Sequence, residues 1–279
     1  MIDLPELLRF IAEDAPRGDL TTETLAPLGR CRARVFLREP GVTAGVEEAG
    51  ALFTRFGVAV TGAVPDGTAV TADTTLLALE GDAAAVLLVE RTALNLIARM
   101  SGIATMTRAL AEAAHRVNPC VRVAATRKTA PGLRHLDKKA VVLGGGDPHR
   151  SSLSDRILIK DNHLALIPLA EAIRRARTRR PGTPIEVEVG TIPDALAAAD
   201  LGADTIMLDN MDPAAIRTVL TTLRERGVRD RVGIEVSGGI TPENIDRYAA
   251  AGPDRISIGR LTHSVRSLDV SLEMSPAPE

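Results

Sequence analysis

A chain of 279 residues with 45% hydrophobic content can fill the core of one large α/β domain or of two, which excludes a disordered or fibrous protein. The formal charge of −2 and the absence of basic blocks interleaved with aromatics exclude nucleic acid as the main partner, and no apolar run reaches membrane-spanning length. Two distant cysteines, Cys31 and Cys120, suggest neither a disulfide framework nor a zinc site; with no signal peptide at the start, the expected compartment is the cytoplasm.

The first third reads as an α+β unit. Leu4 to Glu13 is a short helical pattern, followed by an acidic, glycine-containing turn to Thr22. Residues 31–39 alternate Cys31, Ala33, Val35 and Leu37 with Arg32, Arg34 and Arg38, the period of a half-buried strand. Val46 to Phe56 is helical, and Val58 to Leu79 holds short strands around a Pro65-Asp66-Gly67 turn. From Ala84 to Arg116 the pattern is helical, with Ser101-Gly102 as the expected break between two helices. Arg91 and Asn95 stand four apart there, and the local sequence makes Arg91 a surface charge or an i,i+4 partner.

After residue 120 short apolar runs alternate with helical segments. The predicted strands are Val121 to Ala125, Ala140 to Leu143, Ile157 to Ile159, Ile185 to Val189, Thr205 to Leu208, Val232 to Val236 and Arg255 to Ile258. Helices are expected at Leu164 to Arg180, Ile192 to Leu201, Pro213 to Arg226 and Pro242 to Ala251, the last two opening on an N-cap residue followed by Pro. This is a parallel βα array, too short for a complete eight-unit barrel of ~250 residues, so an incomplete, open α/β barrel is expected. Its strands end in polar residues, and in such a fold those ends meet on one face.

Those ends carry the chemistry. From Thr126 to His163 the chain packs Arg127, Lys128, Arg134, Lys138, Lys139, His149, Arg150, Lys160 and His163 around Gly144-Gly145-Gly146, a cluster suited to an anionic small molecule. Only four of the 34 Lys and Arg residues are lysines, all inside this stretch. Lys138 and Lys139 read as a solvated helix face, whereas Lys128 and Lys160 are candidates for sites that need a compact point charge. Ser237-Gly238-Gly239 and Ile258-Gly259 end the last two strands, where backbone N–H groups can cradle a phosphate, with a plain tight turn as the competing explanation. Glu188 and Asp209 end neighbouring strands and could hold sugar hydroxyls, bind Mg²⁺ through its waters, do acid–base work, or pair with Lys160 or Arg127. The combination fits a phosphorylated sugar meeting a second, carboxylated substrate; a non-catalytic anion-sensing barrel is the rival reading.

The segments EDAPRGDLTT (13–22), ERTALN (90–95), TRKTAPGLR (126–134), GGGDPHR (144–150), SDRILIKDNH (154–163), IEVEV (185–189), IMLDNM (206–211), SGGI (237–240) and ISIGRLTHS (256–264), in this order, resemble the quinolinate phosphoribosyltransferase family across nearly the whole chain. A related family associated with molybdenum transport shares the T-R-K-T and G-G-G motifs, but K-D-N-H at 160–163 favours the first. Ala125, Ala130 and Arg260 depart from the family's usual residues. The resemblance implies an N-terminal α/β sandwich over 1–105, joined by the tail 265–279, and an open seven-stranded α/β barrel over 106–264. It implies a homodimer, Mg²⁺, and the conversion of quinolinate and phosphoribosyl pyrophosphate to nicotinate mononucleotide, pyrophosphate and CO₂ in NAD biosynthesis. Carried over by position, it implies that Arg127, His149, Arg150 and Lys160 hold the quinolinate carboxylates, with Lys128 between substrate and pyrophosphate and Thr126 among the substrate-binding residues. Glu188 and Asp209 would take the ribose hydroxyls or metal, Ser237, Gly238, Gly239, Ile258, Gly259 and Arg260 the 5′-phosphate region, and Arg91 would enter from the partner subunit. Lys128, Lys160, Glu188 and Asp209 are the expected catalytic residues.

Overall fold

In the computed structural model, which describes residues 4–277, the chain divides into two units. The first takes in residues up to Met106, Val142–Gly144 and residues from Val265 onward; the second takes in Thr107–Val141 and Gly145–Ser264. Residues 1–3 and 278–279, which the expected first domain included, lie outside the described part.

Along the chain come α1 (Leu4–Asp14), α2 (Leu20–Leu25), β1 (Arg30–Leu37), β2 (Gly41–Val42), α3 (Val46–Arg55), β3 (Ala59–Ala63), β4 (Ala69–Val70), β5 (Thr75–Asp82) and α4 (Ala83–His115). Then follow β6 (Arg122–Ala124), α5 (Arg134–Leu143), β7 (Ile157–Ile159), α6 (Asp161–Leu164), α7 (Leu169–Arg179), β8 (Ile185–Val189), α8 (Ile192–Asp200) and β9 (Thr205–Asp209). The rest is α9 (Pro213–Glu225), a 3-10 turn (Arg229–Arg231), β10 (Gly233–Ser237), α10 (Ile245–Ala249), β11 (Arg255–Ser257), α11 (Arg260–His263) and β12 (Val270–Pro276).

The first unit is built on an antiparallel sheet of order β12-β1-β5-β3. The alternation in β1 does what the sequence predicts: Cys31, Ala33, Val35 and Leu37 are buried and Arg32 is exposed. On its outer face Arg34 grips Glu273 of β12 with two N–H groups, at 2.9 and 2.8 Å. Under the sheet α3 buries Leu52 and Phe53, each worth about 1.5–3 kcal/mol against exposure.

One expectation fails in α4, which runs unbroken through Ser101-Gly102. The pair serves packing. Ser101 Oγ accepts from the Ala44 amide at 3.0 Å and donates to its carbonyl at 3.1 Å. A Cβ on Gly102 would overlap the Arg266 carbonyl, so the glycine lets the chain pass against the helix.

The second unit carries a parallel sheet of six strands, order β6-β11-β10-β9-β8-β7. Ile185, Val187, Ile206, Leu208, Ile234, Val236 and Ile256 are fully buried in it, as strands covered on both faces require. The expected strand at Ala140 to Leu143 is instead the end of α5: Leu136, Asp137, Lys138, Ala140 and Val141 are buried at helical spacing, and a four-residue apolar run could not distinguish the two. A single parallel bridge, Ala124 to Asp147, extends the sheet beyond β6. Asp212 caps α9 as expected, its Oδ1 accepting from Ala214 N at 2.8 Å and Ala215 N at 2.9 Å. Thr241-Pro242 does not start α10: the helix begins at Ile245 behind Asn244, whose Oδ1 accepts from the Thr241 amide.

Candidate active site

The C-terminal ends of the parallel strands surround one cavity of about 510 Å³. β6 runs out into Thr126, Arg127 and Lys128, and the loop beyond the Asp147 bridge supplies His149 and Arg150. Lys160 follows β7, Glu188 lies in β8, Asp209 ends β9, and Ser237 closes β10 ahead of Gly238 and Gly239. All eleven of these predicted site residues line the same space.

Four others do not line it. Ile258 is buried in the unit's core, and Arg260 is an exposed residue opening α11. Gly259 matters indirectly: a Cβ there would sit 3.1 Å from Cδ of Lys128, so its absence leaves a channel for the lysine stem. Arg91 is exposed on α4 in the first unit, its side chain making no hydrogen bond or ion pair among the described residues.

Opposite charges face each other across the cavity. Lys160 Nζ bonds Glu188 Oε2 directly, across the adjacent strands β7 and β8. Asp209 Oδ2 accepts from Asn210 Nδ2 at 2.6 Å. Asn210 is in the left-handed region (φ 53°), and its amide donates to the Ser237 carbonyl at 2.8 Å. A Cβ on Gly238 (φ +99°) would overlap the Asn210 side chain, so the β9 and β10 loops interlock only because that residue is glycine. Arg127 Nε is buried without a hydrogen-bond partner, a donor left for whatever enters.

At the floor of this cavity, which Glu235 and Ser257 also line, His149 joins a buried cluster whose Glu235 and Arg255 lie outside the quoted motifs. His149 Nε2 is 3.2 Å from Glu235 Oε2 and 3.7 Å from Glu186 Oε2. Glu235, fully buried, also receives Arg255 Nη1 at 3.0 Å on Oε2 and the Ser257 hydroxyl on Oε1. Burial alone would raise the Glu235 pKa, but the His149 and Ser257 hydrogen bonds and Arg255 hold it well below the usual carboxylate range. Burial pushes His149 down; the two carboxylates outweigh it and keep its pKa above the ordinary value. Glu186 is 2% exposed and neither of its oxygens has a hydrogen bond. The Arg150 amide donates to His149 Nδ1 at 2.7 Å, so the neutral ring carries its proton on Nε2 and aims it at the carboxylates. The three groups could geometrically hold a metal, but that tautomer offers a proton where a metal needs a lone pair. With both nitrogens engaged, His149 presents a carbon edge or its face to the cavity.

Glu235 escaped the motif-based reading because it lies two residues before the serine of S-G-G, inside an apolar strand. A charged residue within I-E-V was the available signal, as it is for Glu186 in I-E-V-E-V.

Comparison with known proteins gives a consistent result. Residues 103–273 match the family described as quinolinate phosphoribosyl transferase, C-terminal domain, and residues 19–101 match its N-terminal domain. A protein of Methanothermobacter thermautotrophicus named probable nicotinate-nucleotide pyrophosphorylase [carboxylating] is 46% identical over 277 residues, covering 98% of this chain and 99% of the relative. Nicotinate-nucleotide pyrophosphorylase [carboxylating] of Mycobacterium leprae is 40% identical over 276 residues, 95% of each chain. The crystal structure of nicotinate-nucleotide pyrophosphorylase from Ehrlichia chaffeensis superposes with a TM-score of 0.93 at 31% identity, over 99% of each chain.

Proposed function

The chain belongs to the quinolinate phosphoribosyltransferase family, and from that premise we propose how its own residues join quinolinate to phosphoribosyl pyrophosphate. It is a phosphoribosyltransferase of NAD synthesis, forming nicotinate mononucleotide with release of pyrophosphate and CO₂. The observation that carries the site reading is the division of one cavity into a cationic wall, a carboxylate pair and a glycine turn.

Arg127 and Arg150 form the wall that takes the two carboxylates of quinolinate, with Lys128 between it and the pyrophosphate, His149 packed against the ring rather than bonding a carboxylate, and Lys160 joining once Glu188 lets it go. The unpaired Nε of Arg127 supports this, since a buried donor without a partner is costly until a ligand supplies one. Glu188 and Asp209 take the ribose hydroxyls, and the backbone at Ser237 to Gly239, with Gly259 and Arg260 nearby, takes the 5′-phosphate. The pyridine nitrogen then attacks the anomeric carbon as pyrophosphate departs. The carboxylate next to that nitrogen leaves as CO₂, and a proton takes its place on the ring.

Mg²⁺ fits the donor set. Asp209 and Glu188 line the cavity, and Asp209 Oδ1 and Glu188 Oε1 accept no hydrogen bond within the described residues, hard oxygens suited to an ion that keeps several waters. Bound there, it would neutralise the pyrophosphate. The enzyme works as a homodimer in the cytoplasm, with Arg91 delivered to the neighbouring subunit's site. None of the described helices is long and apolar enough to cross a membrane.

The test is to incubate the protein with quinolinate, phosphoribosyl pyrophosphate and Mg²⁺ and to follow pyrophosphate and CO₂. Equal release of both is expected. Ligand binding without turnover would instead support an anion sensor.

A further inference from the structure

Lys138 does not line the cavity, yet it is one of four lysines in a chain whose other 30 Lys and Arg residues are arginines, and it is 4% exposed. Its Nζ donates to two main-chain carbonyls, that of Pro148 and that of Arg150, the latter at 2.8 Å. Between those carbonyls stands His149, in the left-handed region at φ 52°. That conformation is uncommon for a residue other than glycine, though histidine adopts it more readily than most, and it is held by the surrounding contacts.

The contacts are countable. The Asp147 amide donates to the Val123 carbonyl at 2.8 Å, which ties the loop to β6. Asp147 Oδ1 accepts from the His149 amide at 2.7 Å. Glu235 takes the ring at Nε2. The Arg150 amide donates to the ring at Nδ1, and among the described residues the ammonium of Lys138 bonds the carbonyls on both sides of the bend, which helps fix the direction in which Arg150 leaves it. Burial, with Arg134 nearby, brings the Lys138 pKa down to about 8, so the fold keeps a charge here at a cost. A guanidinium is planar and wider and cannot enter the same gap between two carbonyls.

We propose that Lys138 is a positioning residue for the dicarboxylate substrate: it sets the 147–150 bend that aims His149 and Arg150 into the cavity. The proposal rests on the assignment of that wall to quinolinate. The groups assigned to phosphoribosyl pyrophosphate, Glu188, Asp209, Ser237 to Gly239 and the nearby Gly259 and Arg260, make no hydrogen bond to this bend among the described residues.

The experiment measures quinolinate affinity by calorimetry and both KM values for the full chain, its Lys138→Met and Lys138→Arg variants, and the pair with Arg150→Ala. Loss of a charged hydrogen-bond donor predicts quinolinate binding weaker by about 10- to 100-fold in Lys138→Met. The KM for phosphoribosyl pyrophosphate should stay within about twofold. In the Arg150→Ala background the same substitution should add little, since its effect passes through Arg150 and its neighbour. Should Lys138→Met not fold, Lys138→Gln, whose shorter amide reaches one carbonyl, is measured in the same way. Quinolinate affinity unchanged in a folded variant, equal loss for both substrates, or full multiplicative loss with Arg150→Ala would each overturn the proposal while leaving the activity standing. A wild-type protein that neither binds nor converts quinolinate would overturn the activity, and this role with it.

Discussion

Lys160 and Glu188 are bonded to each other at the ends of adjacent strands, so before substrate arrives each masks the other's charge. The lysine side chain is 40% exposed and the glutamate 13%, which leaves the ammonium free to be drawn away by an incoming carboxylate. Glu188→Gln should therefore release Lys160. Quinolinate affinity is expected to hold or rise, while kcat/KM for phosphoribosyl pyrophosphate falls by roughly 10- to 100-fold, the value of a charged hydrogen bond. Titration calorimetry beside steady-state kinetics separates the two; a loss confined to quinolinate would reverse the roles given to these residues.

Lys128→Arg and Lys160→Arg keep the charge and should still lose most activity. Lys128 passes the bare backbone of Gly259, where even a Cβ would lie 3.1 Å from its Cδ, and its carbonyl receives the Thr262 hydroxyl at 2.9 Å. A planar fork has no room to turn in that channel. Near-normal turnover in both variants would mean that a positive charge of any shape suffices.

Gly238→Ala is predicted to damage the phosphate end of the site specifically. Its φ of +99° is foreign to L residues, and the new methyl would meet the Asn210 side chain that fixes Asp209. Strain of about 1–3 kcal/mol is expected, with a raised KM for phosphoribosyl pyrophosphate. Gly182→Ala is the control: φ is +78° but nothing lies within 4 Å, so it should cost about 1–2 kcal/mol with unchanged kinetics. Urea unfolding and kinetics on both variants decide it.

These contrasts mark how far the sequence could be read. The site residues were legible because each parallel strand closes on polar residues, and strand ends are where such a sheet exposes side chains. Lys138 was not: a lysine on an amphipathic helix looks solvated, and only the fold reveals two carbonyls bent toward it. Ser101-Gly102 misled for a similar reason. Small residues break a lone helix, but here they admit a neighbouring segment, a fact of packing that helix propensity does not encode. Glu235 needed the pairing of β10 with β11, which sets Arg255 opposite it and brings the Ser257 hydroxyl within reach of its carboxylate.

The buried cluster predicts a pH signature. Glu235 has a lowered pKa, so its stabilising effect is present above the unfolded value near 4.5 and is lost as pH falls through the folded one. His149 has a raised pKa, so its contribution is full below 6.5 and is lost as pH rises through its folded value. Thermal stability from this pair should thus be greatest between about pH 4.5 and 6.5. Glu235→Gln should lower Tm most within that window and flatten the decline on its alkaline side. A uniform drop in Tm at every pH would show that the carboxylate acts through packing alone.

The last prediction concerns Arg91, exposed on α4 and with its side chain without a partner among the described residues. A dianion entering a partly dry site needs several cations, and an arginine delivered by a neighbouring subunit would tie catalysis to assembly through a charge-assisted contact. Arg91→Ala and Lys160→Ala proteins should then each be nearly inactive. Mixed under conditions that exchange subunits, they form hybrids in which one site has lost both side chains and the other has kept both. With statistical exchange roughly half the dimers are hybrids with one intact site of two, so recovery to about one quarter of wild-type activity is expected. The hybrids can be verified by differential tagging before the assay. If verified hybrids regain nothing, Arg91 serves its own subunit or only the fold, and the interface role is wrong.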